Sequence, residues 1–150
     1  MKQEKGFTLI ELMVVIMIIS IIAAFVFPTV FKKISRSKRI GAQAQIEIYG
    51  VALDSYRLDN GSYPTTEQRL QALRTEPTTP PLPKNWDGPY LKKEIPLDPW
   101  GNPYIYICPG ENSPDGYDLI SYGANEEEGG EGDDQDIVSW RGLTVEEKGD

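Results

Sequence analysis

Two stretches of this chain carry residue types whose spacing could do chemistry. The first is Gly6-Phe7-Thr8-Leu9-Ile10-Glu11, a glycine before a phenylalanine with a carboxylate four residues further on. Glycine has no side chain, so a protease can approach and bend the backbone there. A cut after Gly6 makes Phe7 the new N-terminus and places a cationic amine four residues ahead of Glu11. Glu11 stands at the edge of an apolar run. An ionised carboxylate in hydrocarbon costs about 2.5–3.5 kcal/mol by insertion scales. The dipole of a helix favours a first-turn carboxylate by only about 0.3–1 kcal/mol. Pairing with the terminal amine of a neighbouring chain would offset the remainder and fix the register of two helices. Glu11 is therefore read as an assembly residue, with simple dipole compensation as the plainer alternative.

The second stretch is acidic. Glu126, Glu127, Glu128, Glu131, Asp133, Asp134 and Asp136 place seven carboxylates within eleven residues. Such a loop is either solvated by water or screened by a cation. Ca²⁺ takes six to eight oxygen ligands in flexible geometry, so carboxylates and carbonyls of one loop suit it. The spacing does not match an EF-hand loop, and a solvated loop is the ordinary reading of such a charge run. Other chemistries lack their parts: the chain has no histidine, Cys108 is its only cysteine, and no glycine-rich phosphate loop occurs. No catalytic residue is assigned, and the chain is not expected to be an enzyme.

The elements that must position these stretches follow from composition. Of the net charge of −8, the acidic loop supplies seven, so the remaining residues sum to −1. The only basic cluster is Lys32, Lys33, Arg36, Lys38 and Arg39. It reads as a set of anchors beside lipid headgroups, and nucleic acid is excluded as a partner. Leu12 to Phe31 holds no charged side chain. Twenty helical residues span roughly 30 Å, the hydrocarbon thickness of a bilayer. Pro28 lies near its end and is expected to kink or loosen the helix. The divisions expected are a cleaved leader over 1–6, a membrane helix over 7–31, a head over 32–140 and a flexible tail over 141–150.

The helix is expected to continue to about Asp59, with Ile34, Ile48, Val51, Ala52, Ser55 and Tyr56 on one apolar stripe against the head. Asn60-Gly61 is a stop signal. A capping box over Thr65 and Gln68 announces a second, short helix with Leu70 and Leu73 inward. Thr78 to Pro83 can form neither helix nor central strand. Asp98-Pro99-Trp100-Gly101-Asn102-Pro103 reads as a tight turn. Tyr104–Cys108, Tyr117–Tyr122 and Ile137–Trp140 read as strands. The fold class expected is α+β: one long helix packed on a small antiparallel sheet.

Gly6-Phe7-Thr8-Leu9-Ile10-Glu11-Leu12 resembles the processing site of type IV pilins and type II secretion pseudopilins. Tyr63-Pro64-Thr65-Thr66-Glu67-Gln68, Pro80-Pro81-Leu82-Pro83 and Asp98-Pro99-Trp100-Gly101-Asn102-Pro103-Tyr104 follow in order. Together they resemble the major pseudopilins of type II secretion, over roughly Gly6 to Trp140. The resemblance implies cleavage between Gly6 and Phe7 by a prepilin peptidase and N-methylation of Phe7. It implies a homopolymer, assembled with minor pseudopilins on an inner-membrane platform, that pushes folded proteins through an outer-membrane channel. Around Pro28 it implies local melting of the helix in the filament.

In that family one Ca²⁺ pins the acidic loop. Carried over residue by residue, the ligands fall on Asn125, on Asp133 or Asp134, and on Asp136, with backbone carbonyls near Tyr122 and Glu127. Gln135 interrupts the family's aspartate pair. Arg69 stands where the family has glycine, and on a helix surface this is expected to cost little. The charge rule alone would keep the head in the cytoplasm, because five basic residues follow the apolar run and two precede it. The resemblance implies the reverse: a single-pass inner-membrane protein with a periplasmic head. The rival readings are a type IV pilin or minor pseudopilin, a membrane-anchored binding module, and a tethered hydrolase using paired carboxylates.

Overall fold

The computed structural model describes residues 6–142. The expected leader, apart from Gly6, and the expected tail beyond Gly142 lie outside the described residues. The chain divides into two compact units, one through Arg36 and the other from Ser37 onward. One α-helix, α1, runs from Leu9 to Asn60 and passes through Pro28 without interruption. The kink or loosening expected at Pro28 is not seen as a break in this single chain.

In the first unit the large apolar side chains are exposed, from Phe7 and Leu9 through Val30 and Phe31. This part of α1 is long and apolar enough to cross a membrane. Among the described residues, none buries these side chains.

The second unit has its own core. The last part of α1 buries Ala42, Ile46, Tyr49, Ala52, Leu53 and Tyr56. These repeat at intervals of three and four, so they form one helix face. The buried face differs from the expected one. Ala52 and Tyr56 belong to it, but Ile48 and Val51 are 53% and 69% exposed. The helix carries two apolar stripes here. The sheet takes the one bearing Tyr49 and Tyr56, whose rings meet Tyr104 and Tyr90 edge-on at 5.4 and 5.5 Å. Ile34, in the first unit, is likewise exposed. The helix ends where Asn60-Gly61 placed its stop: Gly61 adopts φ +81° and its N–H donates to the Arg57 carbonyl at 2.7 Å.

The sheet is antiparallel, with strands β1 (Ile105–Ile107), β2 (Asp118–Ser121) and β3 (Ile137–Val138) in that order. Tyr106 pairs with Leu119 and Ser121 with Ile137, which sets the helix-facing layer. Tyr106, Leu119 and Ile137 join the core formed with α1. The strands fall where expected but are shorter at their ends.

The second helix takes a different form. Thr65 and Gln68 do make their capping box, with Thr65 N–H donating to Gln68 Oε1 at 3.0 Å and Gln68 N–H to Thr65 Oγ1 at 3.3 Å. The turn then stops at Arg69, whose φ is +55°, and restarts as a 3₁₀ turn over Leu70–Leu73. Arg69 therefore does not sit on a helix surface. It occupies a left-handed conformation that favours glycine, so the substitution is strained.

Candidate functional site

The start of α1 is closed by a reciprocal cap. Both the Thr8 N–H and the Thr8 hydroxyl donate to Glu11 Oε2, each at 2.8 Å, and the Glu11 N–H donates to Thr8 Oγ1 at 3.3 Å. This is a second capping box, and it satisfies donors that the first turn of a helix leaves open. The spacing Thr8-x-x-Glu11 carries that signal, which the reading of Glu11 through charge alone passed over. The cap places the Glu11 carboxylate at the N-terminal end of the helix, within one turn of Phe7.

The acidic loop, between β2 and β3, is organised mainly by its own backbone. The Ala124 N–H donates to the Asp133 carbonyl at 2.9 Å. Gly123, at φ +70°, lies so close to that carbonyl that an added Cβ would stand 2.4 Å from it. Asn125 Oδ1 accepts from the Glu127 N–H at 3.2 Å, and Asp136 Oδ2 accepts from the Gly129 N–H at 2.9 Å. Asp133 and Asp134 belong to a short 3₁₀ turn, Gly132–Asp134. No three carboxylates converge as a metal cluster among the described residues. One atom stands out: Asp136 Oδ1 is buried and has no hydrogen-bond partner. An open, buried carboxylate oxygen is a donor of the kind Ca²⁺ takes.

The turn at Asp98 tethers this loop. Asp98 Oδ1 accepts from the N–H groups of Trp100 and Asn102, at 3.0 and 2.8 Å. Asn102 Nδ2 then donates to the Gly123 carbonyl at 2.7 Å, at the root of the acidic loop. The sequence marked this stretch as a turn; its grip on a segment some twenty residues away was not legible. Cys108 is a bystander, because burial pushes its thiol pKa up, away from the reactive thiolate.

An exposed apolar helix that begins on a processing motif and continues into an α+β head defines the pilin class of subunit. The family model for type II secretion system protein G matches residues 29–140, and the prokaryotic N-terminal methylation motif matches residues 1–27. The type II secretion system core protein G of Pseudomonas aeruginosa is 48% identical over 139 residues, covering 93% of this chain and 96% of the relative. Its Vibrio cholerae counterpart is 44% identical over 141 residues, covering 93% and 94%. The crystal structure of the major pseudopilin from the type 2 secretion system of enterohaemorrhagic Escherichia coli superposes with a TM-score of 0.59 at 38% identity, over 70% of this chain and 88% of that one. The chain belongs to the type II secretion system protein G family. This bears out the resemblance and the fold class read from the sequence, and the family is one of structural pseudopilin subunits.

Proposed function

We propose that the chain is the major structural subunit of a type II secretion pseudopilus. Cleavage between Gly6 and Phe7 frees an amine at Phe7, which is then methylated. The processed chain stays in the inner membrane through α1, with its head in the periplasm, until it is added to a filament. The observation that carries this reading is the Thr8–Glu11 cap at the head of a helix whose large apolar side chains are left exposed among the described residues. Both Thr8 bonds fall on Oε2, so the cap is compatible with Oε1 receiving the amine of a neighbouring Phe7. That pairing lowers the cost of a carboxylate in hydrocarbon and sets the axial step. The exposed second stripe, Ile40, Ile48, Val51 and Leu58, extends the apolar surface available to neighbouring helices. Minor pseudopilins, a prepilin peptidase and the assembly platform are the partners this role requires.

Calcium belongs to the same proposal. Asp136 would supply its open Oδ1, with Asn125, one of Asp133 and Asp134, and carbonyls near Tyr122 and Glu127 completing an all-oxygen set. The ion would neutralise part of the acidic loop and hold it to the sheet.

Intact-mass analysis of the protein taken from membranes that contain a prepilin peptidase tests the processing step. The mass of a chain beginning at Phe7 with one added methyl group is expected. An unprocessed chain, or a cut elsewhere, would remove the basis for the assembly role.

A further inference from the structure

The end of α1 holds a residue pair with covalent chemistry of its own. Asn60-Gly61 is the one asparagine–glycine step in the chain. In an open chain the Gly61 nitrogen can attack the Asn60 side-chain carbonyl, because glycine has no Cβ to obstruct the approach. The bond from that nitrogen to Cγ forms and the Cγ–Nδ2 bond breaks. Ammonia leaves, carrying the proton that the Gly61 nitrogen gives up. Water then opens the cyclic imide at one carbonyl to aspartate, or at the other to isoaspartate. No oxidant or cofactor enters.

The fold blocks each requirement of that reaction. Asn60 is the last residue of α1 and is 8% exposed. A planar five-membered ring needs the Gly61 nitrogen eclipsed with the Asn60 Cβ, which helical backbone does not provide. The Gly61 N–H is engaged by the Arg57 carbonyl at 2.7 Å. The amide that would be attacked is held at both ends. Its Nδ2 donates to the Tyr56 carbonyl at 3.0 Å and to the Tyr90 hydroxyl at 3.4 Å, and its Oδ1 accepts from the Asn85 N–H at 3.0 Å.

The same bonds make the product incompatible with the closed fold. An aspartate in place of Asn60 has no N–H for the Tyr56 carbonyl, so two acceptors would face each other in a buried site. It also adds charge beside Asp59, whose Oδ2 already accepts from the Tyr90 hydroxyl at 2.8 Å. Isoaspartate lengthens the main chain by a methylene where Gly61, at φ +81°, makes the helix stop. The Tyr90 hydroxyl further accepts from the Asp87 N–H at 3.1 Å, so the segment 85–90 hangs on this one cluster.

We propose that Asn60-Gly61 is a fold-gated modification site: it deamidates only when the end of α1 opens, and the product prevents that end from closing again. Opened chains acquire a permanent mark, while closed ones keep the amide. The site lies apart from Glu11 and from the acidic loop, so it stands independently of the filament and calcium readings.

The test holds the full chain in detergent at mildly alkaline pH, with and without urea. Asn60 is followed by peptide mapping, with mass and isoaspartate readouts. Conversion in urea is expected to outpace conversion in the folded chain by about a hundredfold or more, a ratio set by the rarity of opening. Gly61→Ala should slow the reaction in urea, where folding plays no part, because the added methyl crowds the attacking nitrogen. A partly converted sample is then refolded by dilution and treated with protease. The resistant fraction should be depleted in the modified residue by about tenfold, as an orphaned buried acceptor implies. Equal rates with and without urea, an amide that survives urea, or a reaction indifferent to Gly61→Ala would overturn the gated reaction. Equal modification in the resistant and digested fractions would overturn the block on closing.

Discussion

The Ser121 hydroxyl donates to Asp98 Oδ2 at 2.5 Å, joining the last residue of β2 to a turn twenty-three residues earlier. Both residues are buried, Asp98 at 5% exposure and Ser121 at none. With its other oxygen Asp98 holds its own turn, so one carboxylate fixes both the turn and the strand that leads into the acidic loop.

Removing the hydroxyl leaves Asp98 Oδ2 buried without its donor. Ser121→Ala is expected to cost about 1–3 kcal/mol, the usual penalty for an orphaned buried polar group. Urea unfolding of the full chain in detergent checks this: the midpoint should fall while the slope stays constant.

Arg69 gives a prediction of the opposite sign. Its φ of +55° is strained for any residue with a Cβ, and such strain is worth about 1–3 kcal/mol. Arg69→Gly should therefore stabilise the head, less the extra backbone freedom glycine brings to the unfolded chain. A net gain near 1 kcal/mol is the expected result in the same unfolding experiment.

The head's tyrosines predict alkaline sensitivity. Burial pushes Tyr117 up to about 12, with the Asp54 and Tyr63 charges adding to it. Tyr104 and Tyr106 are raised by burial as well. Tyr106 also donates its hydroxyl to the Pro64 carbonyl at 2.8 Å, deep in the core. A folded-state pKa above the unfolded value near 10 gives stability that is complete below pH 10 and lost as pH rises past it. Absorbance titration of tyrosinate should show these rings ionising only together with unfolding, above pH 10. Normal titration in the folded head would contradict the packing.

Calcium makes a thermal prediction. A site at a hundredfold excess of ligand over its dissociation constant adds about 2.7 kcal/mol. For a head of this size that corresponds to a rise of roughly ten degrees in the melting of the full chain, relative to chelator. Asp136→Asn should abolish the rise, and Mg²⁺ should not reproduce it. Equal melting with Ca²⁺ and chelator would remove the ion from the account.

What was legible in the sequence was local. The three strands, the Asn60-Gly61 stop and the Thr65–Gln68 capping box announce themselves within a few residues, because each depends on neighbours in the chain. The membrane-competent stretch was legible for a similar reason: twenty uncharged residues need no partner to be recognised. The misreadings concern choices made by distant groups. Two apolar stripes run along the last part of α1, and only the sheet decides that Tyr49 and Leu53 go inward while Ile48 and Val51 stay out. Arg69 is a good helix former, so its own type hides its positive φ; the glycine that the resembled family carries there was the signal, and it was read as a harmless surface change. The short box Gln68 makes with Thr65 was visible. Its two side-chain bonds to the Thr79 and Pro81 carbonyls, at 2.6 and 2.8 Å, were not. The Asp98 tether and the Asn60 bonds to Asn85 and Tyr90 likewise depend on pairings across the fold. Gly6, Phe7 and Glu11 form a third kind of case: they lie in the N-terminal methylation motif matched over residues 1–27 and were legible because that motif is written in residue type and spacing.

Glu11 is where the central claim is most exposed. Wild-type and Glu11→Ala chains, each expressed with the secretion components, would be sheared from the cells and sedimented. The account predicts that the wild-type chain pellets as filaments while the Glu11→Ala chain, still processed and still in the membrane, remains in the unassembled fraction. Equal sedimentation of the two chains, or a wild-type chain found only as a membrane-bound monomer, would contradict it.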